Sequence, residues 1–303
     1  MSNASNFVEG VDLSFAIIFG ISLFFLIGIT AVMIYFVIRY RRKKNPKATQ
    51  IEGNNTLEIV WTVIPTILVL IMFYYGWLGY APMRKVPKDA MPIKAIGQMW
   101  SWTFEYPNGK RSATLVVPLN KPVKLDLVSL DVLHSLYIPA FRVKEDVVPG
   151  RNNFMWFIAQ QEGTYDLFCT EFCGDRHSYM LSKVEVIPDV QFNEWLVKAD
   201  IPADEHPGLT LLKQNACITC HSQDGSKIVG PSFKGLYGKT ETVVTEAGDE
   251  IEIVADDVYI TQSIYEPNAH VVKGYNKGLM ISYKDRISQE DLQKIIEYIK
   301  TLK

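Results

Sequence analysis

Two long uncharged stretches dominate the hydropathy pattern of this chain. Leu13 to Ile38 contains no charge and is dense in Ile, Phe and Leu, and Ile59 to Met83 repeats the pattern. Each exceeds the roughly 20 residues a helix needs to cross the hydrocarbon core. The pattern therefore predicts membrane spans over about 13–38 and 59–82. Pro65 falls near the start of the second, where neighbouring helices absorb a lost backbone bond. Buried helices of a large soluble protein are the alternative for both runs, and a secretory signal is a further one for the first. That run has no basic residue before it and a longer core than such signals use, which favours a retained helix. Between the runs lies Arg39-Tyr-Arg41-Arg42-Lys43-Lys44, whereas residues 1–38 contain neither Lys nor Arg. Cationic loops stay in the cytoplasm, so the N-terminus and everything after Tyr80 are expected outside.

Beyond the spans the pattern shortens. From Pro92 to Pro188, apolar or alternating runs are separated by Pro, Gly and Asn: Thr114 to Pro118, Val123 to Val128, Phe154 to Ile158, Tyr165 to Phe168 and Leu181 to Ile187. Short strands broken by turn signals predict an all-β sandwich or barrel. Pro107-Asn-Gly109 reads as a hairpin turn, and a length of about 100 residues suits one Greek-key sandwich. Ile201 to Gly208 is polar and Pro-containing, as a linker would be. The domain after it has helical signals at both ends. Its last helix is announced by Ser288-Gln-Glu-Asp291, a capping box ahead of Leu292, Ile295, Ile296 and Ile299. Thr240 to Asp257 is acidic and Thr/Val-rich around Ala247-Gly248-Asp249, and is expected to be an inserted hairpin. The plan is a helical hairpin over 1–91, a β domain over 92–200, a linker over 201–207 and a second domain over 208–303.

A length of 303 residues fits several domains, and a net charge of -2 gives no reason to invoke nucleic acid. The four cysteines fall in Cys169-Thr-Glu-Phe-Cys173 and Cys217-Ile-Thr-Cys220-His221. Two disulfides are the plain alternative in an oxidising compartment, but each pair has a histidine where a metal needs one. His177 and Met180 follow the first pair, completing a soft donor set suited to copper. These groups lie on one loop between two predicted strands, and a site held by rigid sheet at both ends reorganises little when its charge changes. A mononuclear blue-copper site needs one thiolate, two His and a weak axial Met. A second thiolate argues for two coppers bridged by sulfur, each with a terminal His. The chain has five histidines: His134, His177, His206, His221 and His270. His221 belongs to the second string, and His206 and His270 lie outside the β domain, so His134 is the expected partner. The carbonyl of Glu171 is a further weak donor.

The second string is the attachment signature of a c-type haem. Cys217 and Cys220 would bond the porphyrin and His221 the iron. A thioredoxin-like pair would want a βαβ neighbourhood, and zinc would want two more ligands that the cysteine count cannot supply. Met280 is the sole methionine after residue 180 and is the expected sixth ligand. His270 competes with it, as the second ligand of a bis-His haem.

The string Cys169-x-Glu171-x-Cys173-Gly-x-x-His177-Ser-x-Met180, the segment Asp131-Val-Leu-His134-Ser and the two-helix anchor resemble subunit II of haem-copper cytochrome c oxidases, over residues 12–188. The resemblance implies a cupredoxin-like CuA domain in which His134, Cys169, Glu171 by its carbonyl, Cys173, His177 and Met180 bind two coppers. It implies that the Glu171 carboxylate binds magnesium at the boundary with subunit I, and that electrons enter near Trp100. It also places Glu58 at the cytoplasmic mouth of a proton pathway. Without the resemblance, these three are a solvated loop acid, a packed aromatic and a helix-start charge. Gln98-Met99 stands where the family often has His-Gln. Residues 208–303 resemble an all-α class I cytochrome c domain, with Gly230-Pro231 and a terminal helix from Ile287 to Lys303. Ile281 stands where that family usually has Pro after the axial Met.

The implied whole is a multidomain membrane protein of a bacterial inner (cell) membrane, with its copper and haem domains on the outer, periplasmic side. It would serve as subunit II of a proton-translocating respiratory oxidase. Electrons from an upstream cytochrome c, or a cytochrome c-reducing complex, would pass from haem c through CuA to subunit I, where oxygen becomes water. Subunit I, further oxidase subunits and membrane lipid are the expected partners. A CuA-containing nitric oxide reductase subunit and a membrane-anchored electron shuttle are the competing readings.

Overall fold

The computed structural model describes residues 4–47, 49–50, 52–198 and 205–303. Helix α1 (Val8–Arg39) has 32 residues and α2 (Asn55–Tyr80) has 26. Both are long and apolar enough to span a membrane, and 0% of the most apolar window of each is buried. Apolar surface of this extent is unfavourable in water. The Asn54 side chain caps α2 by accepting from the Leu57 N–H at 3.1 Å, and Pro65 lies within the helix without ending it. Small residues join the two helices where they meet the β domain. The Ser14 hydroxyl donates to the Tyr75 carbonyl at 3.1 Å, and a Cβ on Gly79 would lie 3.4 Å from the Gly10 oxygen. The first helix begins earlier than the apolar run because its first turns serve the β domain. Asp12 pairs with Arg142 at 2.7 Å, Ala4, Phe7 and Val8 are buried, and Ser5 bridges Ala159.

The β domain is a sandwich of two five-stranded sheets. One sheet holds β1 (Met91–Gln98), β2 (Ser101–Glu105), β3 (Arg111–Ser112), β5 (Pro122–Ser129) and β8 (Asn153–Ile158), in the order β3-β2-β1-β5-β8. The other holds β4 (Leu115–Pro118), β6 (His134–Ile138), β7 (Val143–Val147), β9 (Gly163–Cys169) and β10 (Leu181–Ile187), in the order β4-β10-β9-β6-β7. Alternation sets the inner faces: Val123, Leu125 and Leu127 of β5 are buried against Leu136, Leu167 and Val184 of the facing sheet. The parallel pairs β1–β5 and β4–β10 require the chain to cross between sheets, as a Greek-key, cupredoxin-like sandwich does. Gly109 turns the predicted hairpin at φ +86°. Helix α3 (Asp189–Val197) closes one end, with Phe192 buried and Trp195 edge-on to Tyr106 at 4.9 Å.

Residues 201–204 of the predicted linker lie outside the described residues, and Pro207 already opens a helix. The second domain contains α4 (Pro207–Gln214), α5 (Cys217–Cys220), α6 (Asp257–Tyr265) and α7 (Gln289–Thr301) around Leu212, Ile260, Leu292, Ile295 and Ile299. Ser288 caps α7 as its sequence requires, accepting from the Asp291 N–H at 3.1 Å. The expected hairpin is present as β11 (Thr240–Thr245) and β12 (Glu250–Val254), turning at Gly248 with φ +94°. A third strand, β13 (His270–Val272), pairs with the other side of β11. The domain is therefore helical with a small sheet set into it. Val243 is fully buried, and the free backbone groups of a strand held inward need partners, which β13 supplies.

Candidate copper centre and haem cleft

The copper loop is fixed by the strands that flank it. β9 and β10 pair antiparallel up to Leu181 opposite Phe168, and the Cys169 N–H donates to the Met180 carbonyl at 3.2 Å. The ends of the loop therefore face each other. β6 lies beside β9, with Leu136 opposite Cys169, so His134 at the first position of β6 reaches the same place. Cys169 Sγ lies 3.9 Å from His134 Nδ1 and 3.8 Å from Cys173 Sγ. Cys173 Sγ lies 3.4 Å from His177 Nδ1 and 3.8 Å from Met180 Sδ. The Glu171 carbonyl lies 3.4 Å from Cys169 Sγ. All six predicted donors thus converge. The sulfurs are separate thiols, well beyond the roughly 2 Å of a cystine bond. His134, Cys169 and Cys173 are buried, and their donor atoms lie within 4.8 Å of one another. Two thiols, two imidazoles, a thioether and a carbonyl fit copper and fit calcium or magnesium poorly.

The surroundings prepare the donors. Asp131 Oδ1 holds His134 Nε2 at 2.8 Å and leaves Nδ1 facing the sulfurs. The other Asp131 oxygen accepts from the Met99 N–H at 2.7 Å. Burial works against an imidazolium at His134, but hydrogen bonds with Asp131 and Cys169 raise its pKa to about 9. Burial also pushes the Cys169 thiol up, yet hydrogen bonding to His134 and the Glu171 carbonyl brings it below the ordinary thiol value. Burial and the neighbouring Cys169 charge raise Cys173. Metal held here would require both thiols to give up their protons. Trp100, 4% exposed, donates its indole N–H to the Cys173 carbonyl at 3.0 Å. A Cβ at Gly174 (φ +113°) would lie 3.1 Å from that indole, and one at Gly97 would lie 3.1 Å from His134. Glycine at both positions lets the tryptophan and the imidazole close on the loop.

The Glu171 side chain is half-buried beside this cluster. Glu58 stands apart from it. It is exposed in the first turn of α2, at the end of that helix remote from the β domain.

In the second domain, His221 Nδ1 donates to the Pro231 carbonyl at 2.7 Å, which leaves Nε2 for iron. Burial lowers its pKa and keeps the ring neutral. Phe233 stacks on the imidazole at 4.8 Å. Cys217, Cys220, His221 and Met280 line one cleft, and two thiols, an imidazole and a thioether together are the donor set a c-type haem needs. His270 lines it too, with Nδ1 against Gln262 Oε1 at 3.0 Å. The cleft has three further wall residues from the copper domain: Gln98, Met99 and Asp131. Sequence reasoning missed these. The one signal was the departure from the family pattern at Gln98-Met99.

Residues 110–187 match the family described as cytochrome C oxidase subunit II, periplasmic domain, and residues 2–76 match its transmembrane domain. Residues 206–303 match the cytochrome c family. Cytochrome c oxidase subunit 2 of Alkalihalophilus pseudofirmus is 31% identical over 299 residues, covering 92% of this chain and 83% of that one. The same subunit of Oenothera berteroana is 32% identical over 213 residues, covering 59% of this chain and 83% of that one. A crystal structure of the periplasmic domain of subunit II of cytochrome oxidase from Bradyrhizobium japonicum is 35% identical and covers 37% of this chain and 94% of its own, at a TM-score of 0.35. Both metal-binding domains of this chain, for copper and for haem c, fall within the matched families. With that identity sustained from the membrane anchor to the haem domain, the chain belongs to the cytochrome c oxidase subunit II family and is an oxidoreductase subunit with a cytochrome c domain following its copper domain.

Proposed function

We propose that this chain passes electrons from its own haem c, through a dinuclear CuA centre, to subunit I of a bacterial respiratory oxidase, where oxygen is reduced to water. The reading rests most on one observation: Asp131 hydrogen-bonds the copper-site histidine His134 and also forms part of the haem cleft wall. His134, Cys169, Glu171 by its carbonyl, Cys173, His177 and Met180 hold the coppers. Cys217 and Cys220 hold the porphyrin, and His221 and Met280 the iron. When bound, the two coppers share one electron between them, and the haem iron exchanges one electron at a time. The protein's own part is to keep these donors still. Asp131 orients His134, Trp100 grips the Cys173 carbonyl where electrons enter, and the sheet holds both ends of the loop. A tether raises the effective concentration of the haem domain at the copper domain.

The finer assignments follow the same reading. The Glu171 carboxylate faces subunit I and binds magnesium, and Glu58 opens a proton pathway from the cytoplasm. The Arg39–Lys44 loop lies inside, and the copper and haem domains lie on the periplasmic side of the inner membrane, with the helices against lipid and subunit I. The donor is an upstream cytochrome c or a cytochrome c-reducing complex, which reduces the haem. In the assembled oxidase, His134→Ala should cut oxygen uptake at least about tenfold while the haem c spectrum persists. Undiminished uptake would remove His134 from the path. Uptake of nitric oxide without oxygen by the unaltered complex would move the chain to the reductase reading. Purification free of any subunit with buried haem would make it a shuttle.

A further inference from the structure

The face of the haem domain that carries the cleft rests on the copper domain through one buried polar cluster. The Gln98 side chain is 8% exposed and the Tyr283 side chain 5%, although they belong to different domains. Gln98 Nε2 donates to the Tyr283 hydroxyl at 3.0 Å, and the Arg286 guanidinium donates to Gln98 Oε1 at 3.2 Å. The Tyr283 hydroxyl in turn donates to the Asn215 carbonyl at 3.2 Å, just ahead of Cys217. The Arg286 guanidinium also lies over the Tyr283 ring, 5.5 Å from its centroid. Val229 and Leu279, one on each side of the cleft sequence, pack against the apolar core of the sandwich. Arg176 of the copper loop donates to the Thr219 carbonyl within the haem string at 3.4 Å. A buried carboxamide is costly unless both of its ends are satisfied, and here both are satisfied only by the docked haem domain.

We propose that Gln98 is a positioning residue: it latches the haem domain against the copper domain, so that the haem cleft opens onto Met99 and Asp131. The proposal rests on the electron-transfer reading above and adds to it the contact that sets the distance. Gln98 acts through the pose of the haem domain: it borders the haem cleft but is none of the expected copper or iron ligands. The latch is one unit, so its members should fail together and not additively. Gln98→Glu keeps the acceptor for Arg286 but loses the donor to the Tyr283 hydroxyl, and should restore only part of what an apolar residue loses.

The test uses the full chain in the assembled oxidase, with haem c reduced by a light pulse and its reoxidation followed optically. Gln98→Ala should slow haem-to-copper transfer about tenfold, equivalent to about 1.4 kcal/mol in docked population, beyond any change accounted for by the haem potential titrated in the same variant, with the near-infrared copper band unchanged. Tyr283→Phe, remote from the copper loop, should give a similar loss, and Gln98→Glu should recover part of the rate through Arg286. Hydrogen exchange provides a readout independent of electron flow: Gln98→Ala should raise exchange at Tyr283–Ile287, on the other domain. Unaltered transfer and unaltered exchange in both Gln98→Ala and Tyr283→Phe would overturn the latch alone. Absence of haem-to-copper transfer in the unsubstituted protein would overturn the electron-transfer reading and the latch with it.

Discussion

At Gly230, an added Cβ would sit 2.5 Å from His221 Cε1, closer than any relaxed contact allows. Gly230→Ala should therefore displace the imidazole from its bond to Pro231, shift the haem spectrum, and cost about 1–3 kcal/mol as an overpacked site. An optical spectrum and urea midpoint equal to the parent's would show that the ring has room to yield. Met280 and His270 are both among the wall residues of the cleft. A thioether on iron holds the potential above that of a bis-His haem. Met280→Leu should thus lower the haem potential markedly in a redox titration, and an unmoved potential would assign the iron to His270. Much of this residue-level chemistry was legible because soft donors are rare and their spacing is informative. Asp131 stood in the same short string as His134, yet its role depends on where the carboxylate points, which spacing alone does not show.

The elements carry a charge pattern with a definite pH dependence. Glu105 of β2 binds Lys94 of β1 at 2.9 Å and Arg111 of β3 at 2.8 Å, joining three strands of one sheet. Burial pushes its carboxyl up, but the Lys94 and Arg111 hydrogen bonds outweigh that and hold it below its usual 4.5. A folded pKa held below the unfolded one means that the contribution is complete above about 4.5 and is lost as pH falls through the folded value. Partly exposed pairs contribute up to about 1 kcal/mol. Urea midpoints should therefore fall more steeply below pH 4.5 in the parent than in Glu105→Gln. Parallel curves would remove this cluster from the stability of the sheet. The strands and the Ser288 cap were legible because alternation and capping are local. The pairing of β13 with β11 was not, because His270 to Val272 is too short to show alternation and takes its form from a partner strand distant in sequence.

At the scale of the whole molecule, three units meet through contacts that no local pattern encodes. Ser5 donates to the Phe141 carbonyl at 2.8 Å and bridges Ala159, so the anchor and sandwich are joined before the first span begins. Gln98 finds its partners at Tyr283 and Arg286. The spans, the sandwich and the helical haem domain could be read in order along the chain, because composition changes at each boundary. How they dock could not, since docking depends on surfaces that form only after each unit folds. The consequence is functional: the haem cleft and the copper ligands become neighbours by tertiary placement, with Asp131 common to both.

Everything in this arrangement depends on what Cys169 and Cys173 bind. The most direct measurement is metal analysis of the purified full chain, combined with its near-infrared absorption and a thiol count after unfolding. Two coppers per chain, a mixed-valence near-infrared band that Cys173→Ser abolishes, and no cystine between residues 169 and 173 are the predicted results. A cystine at that position in a folded chain that contains haem but no copper would contradict the account.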